Sequence, residues 1–571
     1  MKPTVLAACL LALAPAALAD PLDPLIEAYE SYVLAGDPGE AARAAGTSPT
    51  GWGHVRLPDV AARTATARSL LEEIEAAETG RTVDAAILKR LLADEILTGE
   101  LDLARIPFTG DWGFQAAPVF AALRLRIEDE EDAEAWVQRL NDVPRYFAEH
   151  RVNMARGITT GWTANKDPLA TTREQIEAQI IDDPAVSELY KPFLSLPETI
   201  ALETADRLKA EGLAATTRAI QAYRDTARFI DLAYAPAVRG EAGIAGLPGG
   251  RSVYAAAIEL HTAGAGYSPE EIHAIGLEEV ARIRAEMDTV MAEAGFKGSF
   301  AKFQAFLRTD PQFYAQSDAE LMAKAKEITD RIDQILPLYF GHLPKIGYTV
   351  DPVPLSIAPG YTTGRYVQGD PAEGRKGSYL VNTYALEQRP LYELPALSAH
   401  ESVPGHHLQI SIAQEMSGQP RFRQEYYATA FGEGWGLYAE RIAGEAGIYQ
   451  TPYERFGALS YEMWRACRLV ADTGLHWYGW TRAEAEACFY ENSALAPLNI
   501  KTEVTRYIGW PGQATAYKIG ELKIRALRAE AEAALGDRFD IRDFHDTVLG
   551  QGAVPLDVLE AQVRAWIASF Q

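Results

Sequence analysis

Apolar side chains return at helical spacing through Ile272, Ile275, Val280, Ile283, Met287 and Val290, with charged residues between them. That is the pattern of a helix burying one face. Its start is marked by Ser268-Pro269-Glu270-Glu271: the serine hydroxyl caps a free N–H, proline suits the first turn, and the second glutamate reaches back to the cap. Gly295 is the expected stop. Ser317 with Glu320 and Thr481 with Glu484 repeat the arrangement. No repeat with a period of roughly 20 to 50 residues, and no low-complexity tract, interrupts this texture. The pattern predicts a mainly α protein.

Two stretches depart from it. Within Val353 to Thr383, the segments VPLSIAP and GSYLVNT carry β-branched and aromatic residues at strand-like spacing around a glycine- and charge-rich connection. They predict a small hairpin or sheet leading towards His400. Gly240 to Gly250, GEAGIAGLPGG, reads as a surface loop or as a boundary between two lobes. Two lobes suit the length, since 571 residues exceed what one apolar core usually organises.

The charge pattern narrows the partners. A formal net charge of -25 repels nucleic-acid phosphates and gives no polybasic membrane-binding patch. Residues 1–19 have a lysine, an apolar run and Ala17-Leu18-Ala19 before Asp20, the pattern of a cleavable export signal. Residues 20–571 are then the mature chain, periplasmic or secreted. Leu6-Ala7-Ala8-Cys9 also resembles a lipoprotein cleavage box, but the apolar run before Cys9 is very short, and cleavage after Ala19 is the reading adopted. No later stretch has the roughly 20 uninterrupted apolar residues of a membrane span. Beyond Cys9 only Cys467 and Cys488 remain, enough for one disulfide or two buried thiols, and too few for a cysteine zinc site.

The candidate chemistry lies in HESVPGHHLQ, residues 400–409, which holds three of the ten histidines. LPALSAHES predicts one helix, and a second should run from about His407 to Met416. A histidine followed by glutamate on a helix is half of the HExxH zinc signature, in which histidines one turn apart hold the metal and the glutamate activates water. The second histidine is missing from its place: position 404 is proline, followed by Gly405. Proline and glycine break the helix, and a two-residue bulge there would bring His406 to the vacant place. His407 is the competitor, since seven residues is close to two turns of an unbroken helix. Catalytic zinc takes a third protein ligand. Glu433 in FGEGWGLYAE is the candidate, with Gly434 and Gly436 allowing close helix approach and Glu440, two turns on, as an alternative ligand or support.

HESVPGHHLQ, EGWGLYAE, RLVADTGLHWYGWTRAEA and PGQATAYKIG, in this order, resemble the bacterial family called domain of unknown function 885, grouped with HExxH-type zinc peptidases. Its more distant relatives are similar to thimet oligopeptidase and angiotensin-converting enzyme. The resemblance implies two helical lobes around a deep channel, one zinc ion per chain, Glu433 completing its site, and His476 with Tyr517 or Tyr507 supporting the transition state. A histidine among Trp477, Tyr478 and Trp480 is equally a core residue.

These readings predict an exported zinc peptidase in which His400, His406 and Glu433 hold the metal, Glu401 is the base, and His476 and Tyr517 donate to the oxyanion. The strand GSYLVNT would offer an edge to an extended peptide substrate, with Tyr379 and Tyr507 as substrate contacts. The rivals are an exported protein that binds peptide or zinc without turnover, and a zinc amidase acting on cell-wall peptides.

Overall fold

A computed structural model describes residues 20–110, 112–355, 358, 361–371 and 374–570. The leader expected over residues 1–19, Cys9 included, lies outside them. Helices dominate, and those that build the site and its surroundings are labelled here. They are α1 (Glu130–Thr160), α2 (Leu202–Phe229), α3 (Pro269–Glu293), α4 (Asp318–Asp333), α5 (Leu394–Glu401), α6 (His406–Gln414), α7 (Thr429–Glu445), α8 (Pro452–Thr473) and α9 (Ala516–Leu535). The capping boxes at Ser268 and Thr481 form as expected, each hydroxyl and glutamate exchanging bonds with the opposite main-chain N–H. Ser317 accepts from the Glu320 N–H at 3.2 Å. No helix among the described residues is long and apolar enough to cross a membrane.

Three strands form one sheet, β1 (Tyr348–Pro352), β2 (Gly364–Val367) and β3 (Gly377–Val381), in the order β1-β3-β2. β1 runs parallel to β3, and β2 antiparallel to it. Two expectations are corrected. The first strand ends before VPLSIAP instead of lying within it, and GSYLVNT supplies the central strand, so its edges are already paired. Tyr379 is consequently no substrate contact: its ring is fully buried, with its hydroxyl 3.3 Å from Ser398 Oγ on α5.

The apolar interior falls into three clusters. One, from Trp52 to Tyr234, is organised by α1 and α2; one surrounds α5 to α7 and α9; the third lies between α3 and α8. The loop Gly240 to Gly250 is exposed at Gly240, Glu241, Gly246, Pro248 and Gly249, as a surface loop would be, and is anchored at its middle. Ile244 is buried, its N–H donates to His476 Nδ1 at 3.2 Å, and a Cβ on Gly243 would stand 1.8 Å from the Leu475 carbonyl oxygen. Cys467 and Cys488 form a disulfide that joins α8 to the helix Arg482–Asn492. Lys518 on α9, wholly buried, lies 2.7–2.9 Å from carboxylates of Glu279 on α3, Glu462 on α8 and Glu521 on its own helix. A buried ammonium without those partners would be strongly destabilising, so the three helices have a fixed relation, and with them Tyr517 one residue earlier.

Candidate metal centre

The break in the HExxH pattern has a definite structure. α5 ends at Glu401, residues 402–405 leave the helix, and α6 begins at His406. Ser402 Oγ donates back to the Ser398 carbonyl at 2.6 Å, the His407 N–H to the Ser402 carbonyl at 3.0 Å, and the Trp435 indole N–H from α7 to the Pro404 carbonyl at 2.7 Å. Gly405 is needed for contact reasons: a Cβ there would lie 1.9 Å from the His400 carbonyl oxygen. Gly405→Ala is therefore expected to displace His406, emptying the metal site and lowering the melting temperature, as metal analysis and calorimetry would record.

The bulge brings His406, not His407, beside His400. The two imidazoles are nearly perpendicular at 89° with centroids 4.7 Å apart, and their Nε2 atoms lie 3.5 Å (His400) and 3.4 Å (His406) from Glu433 Oε2 on α7. Donor atoms of all three lie within 4.8 Å of one another. Gly436 gives the His400 ring its room, since a Cβ there would stand 2.7 Å from the ring. Gly434 serves a different contact from the one expected, meeting the backbone of Gly520 on α9.

His400 Nδ1 lies 2.8 Å from Glu440 Oε1, and Arg465 Nη2 is 3.2 Å from the same oxygen. An imidazole that donates from Nδ1 presents the Nε2 lone pair to the centre, the usual support for a metal-bound histidine. Burial alone would depress the His400 pKa, but Glu433, Glu440 and Glu401 outweigh it and push it up to about 10. Burial likewise opposes ionisation of Glu433, yet His400 and His406 hold it well below the usual carboxylate range. A nitrogen-nitrogen-oxygen set with its tautomer fixed from behind fits zinc.

His407 faces the other way. Its Nδ1 meets the Tyr366 hydroxyl at 3.0 Å and Ser411 Oγ at 3.2 Å, its ring packs on Tyr348, and burial lowers its pKa to about 4. A second group, His54, Asp59 and Glu149, also brings donor atoms together. Guanidinium groups already neutralise it: Arg145 Nη1 lies 3.0 Å from Glu149 and Arg56 Nε 2.7 Å from Asp59.

Glu401 follows His400 directly, and its Oε2 accepts the Tyr366 N–H of β2 at 2.8 Å. The strand bordering the site is thus β2, not GSYLVNT. Tyr517 is nearly buried, its ring under the Arg468 guanidinium at 4.2 Å.

Two expected residues serve the core instead. His476 is fully buried, with Nε2 3.0 Å from the Tyr507 carbonyl and Nδ1 taking the Ile244 N–H, so neither nitrogen has a proton to offer substrate. Tyr507 is buried too, its hydroxyl taking bonds from Trp464 and Arg468 and donating to Glu503 at 2.9 Å. His476→Ala is expected to destabilise the fold by about 2 to 4 kcal/mol through unsatisfied main-chain groups while leaving metal content unchanged.

One neighbour of the site escaped the sequence reading. Tyr427, in the turn before α7, is 42% exposed and packs on Gly432. Its pKa is nonetheless raised well above the usual value, by burial first and then by Glu433, Tyr517 and Glu401. Its only sequence signal was its place six residues before Glu433.

No curated protein matches the chain. Among solved structures, the fold is similar to "the putative lipoprotein from Colwellia psychrerythraea", with a TM-score of 0.87 and 26% identity over 97% of this chain and 100% of that one. It is also similar to a "putative lipoprotein of unknown function from Shewanella oneidensis", with a TM-score of 0.73, 15% identity, and coverage of 95% and 97%; at that identity the likeness concerns the fold. The family described as "Bacterial protein of unknown function (DUF885)" matches residues 40–563. The chain belongs to that family.

Proposed function

We propose that the protein is an exported zinc-dependent peptidase of the HExxH type, with one zinc ion per chain and a two-lobed body around a channel. The observation that carries this reading is the convergence of His400 Nε2, His406 Nε2 and the Glu433 carboxylate, with Glu401 next in sequence to the first ligand. A zinc ion held by those three side chains would act as a Lewis acid, polarising a carbonyl and bringing the pKa of water towards 7.

The remaining steps belong to the chain's own groups. Glu440 holds a proton at His400 Nδ1 and keeps the ring in place. Glu401, with one oxygen anchored by the Tyr366 N–H, uses the other to take a proton from the attacking water and to deliver it to the leaving amine. Tyr517, its ring held under the Arg468 guanidinium, turns its hydroxyl towards the developing oxyanion. Tyr427, exposed and packed on Gly432 next to Glu433, is placed to meet the peptide as it enters. Removal of metal by a chelator should abolish hydrolysis of a peptide mixture, and zinc should restore it; chelator-resistant cleavage overturns the reading.

The disulfide suits an oxidising compartment, and both solved relatives carry the word lipoprotein in their descriptions. The exported chain is expected to begin at Asp20, as the intact mass would record. A chain starting at a lipid-modified Cys9 would instead mean membrane anchoring.

A further inference from the structure

Behind the metal centre, on the far side of the bulge, an open groove of about 570 Å³ runs between β1 and α4. β1 is an edge strand. The Gly377 N–H donates to Gly347 and the Val353 N–H to Val381, so odd-numbered residues of this stretch turn their main-chain groups towards β3. In a parallel ladder the alternate residues then point away: the N–H and C=O of Tyr348 and of Val350 face the groove, four groups to which another strand can bond. The opposite wall is one face of α4, where Lys326, Asp330 and Asp333 recur at helical spacing. Asp351 adds a third carboxylate from the strand side, against two ammonium groups, Lys326, itself 2.8 Å from Asp330, and Lys376 beside Gly347. Leu343 and Ile346 give the groove apolar surface, and Val403 of the bulge and His407 of α6 close its floor.

We propose that this groove binds an extended peptide segment bearing a lysine or arginine, which adds to β1 as a further strand and sets its cationic side chain against Asp330 and Asp333. Main-chain pairing at a sheet edge supplies sequence-tolerant affinity, and the side-chain pocket supplies the preference. The excess of carboxylate makes that preference cationic. The site is separate from the hydrolytic centre and does not depend on turnover there.

The test uses a fluorescein-labelled, end-blocked Val-Lys-Val-Lys-Val peptide and the mature protein, with anisotropy as the readout and mass spectrometry to verify that the probe stays intact. Saturable binding is expected. It should weaken about tenfold or more when glutamates replace the lysines, and similarly when alternate peptide amides are N-methylated, which blocks pairing without altering the protein. The double variant Asp330→Asn, Asp333→Asn should lose affinity to the same extent with unchanged melting temperature and zinc content. Absence of saturable binding overturns the proposal. So does binding that ignores N-methylation, or binding that persists at full strength in the double variant, because the probe would then occupy another place such as the hydrolytic channel.

Discussion

Glu401→Gln is expected to keep its zinc and its melting temperature while peptide turnover falls by about 10² to 10⁴. The amide has the size of the carboxylate and still accepts the Tyr366 N–H through its oxygen, so β2 and α5 keep their relation. It has lost the basicity needed to take a proton from water. Glu401 is not among the three side chains whose donor atoms converge, so the metal should stay. A protein that only binds peptide or zinc would tolerate the exchange. Near-normal turnover in this variant would remove Glu401 from the mechanism.

The second large effect concerns the ligands themselves. His406→Ala and Glu433→Ala should each lower zinc affinity by more than the roughly 10- to 100-fold that follows loss of an outer partner, leaving the purified protein with far less than one zinc per chain. Glu440→Gln provides that outer-partner reference, because Glu440 touches the metal site only through His400 Nδ1. His407→Ala should keep its zinc and lose stability, since its ring bonds Tyr366 and Ser411 and packs on Tyr348. If His407→Ala emptied the site and His406→Ala did not, the bulge would present the wrong histidine and the ligand assignment would fall.

What could be read in advance follows from which physical rules are local. Capping boxes, the helix after Ser268 and the break at Pro404-Gly405 are short-range effects of hydroxyls, proline and glycine, and they were legible. So was the placement of His406, not His407, beside His400, which needs only the premise that an unbroken helix cannot pass Pro404. Long-range packing was not. His476 sits among aromatic residues in either role, and only the fold shows both its nitrogens taken by the main chain of Ile244 and Tyr507. Tyr379 lies on a good strand, but strand order, which turns an edge into a centre, is set by pairing with a segment 29 residues earlier. Tyr427 approaches Glu433 because the turn before α7 folds its ring onto Gly432, and one tyrosine among 26 carries no periodic signal of that.

The central claim is that the centre formed by His400, His406 and Glu433 hydrolyses peptide bonds with Glu401 as base. It is tested most directly by incubating zinc-loaded wild type and zinc-loaded Glu401→Gln in parallel with a mixed peptide library and reading the products by mass spectrometry. The account predicts cleavage products from the wild type, and their near-absence from the variant at equal zinc content. Equal products from both proteins, or none from a wild type holding one zinc per chain, would contradict it.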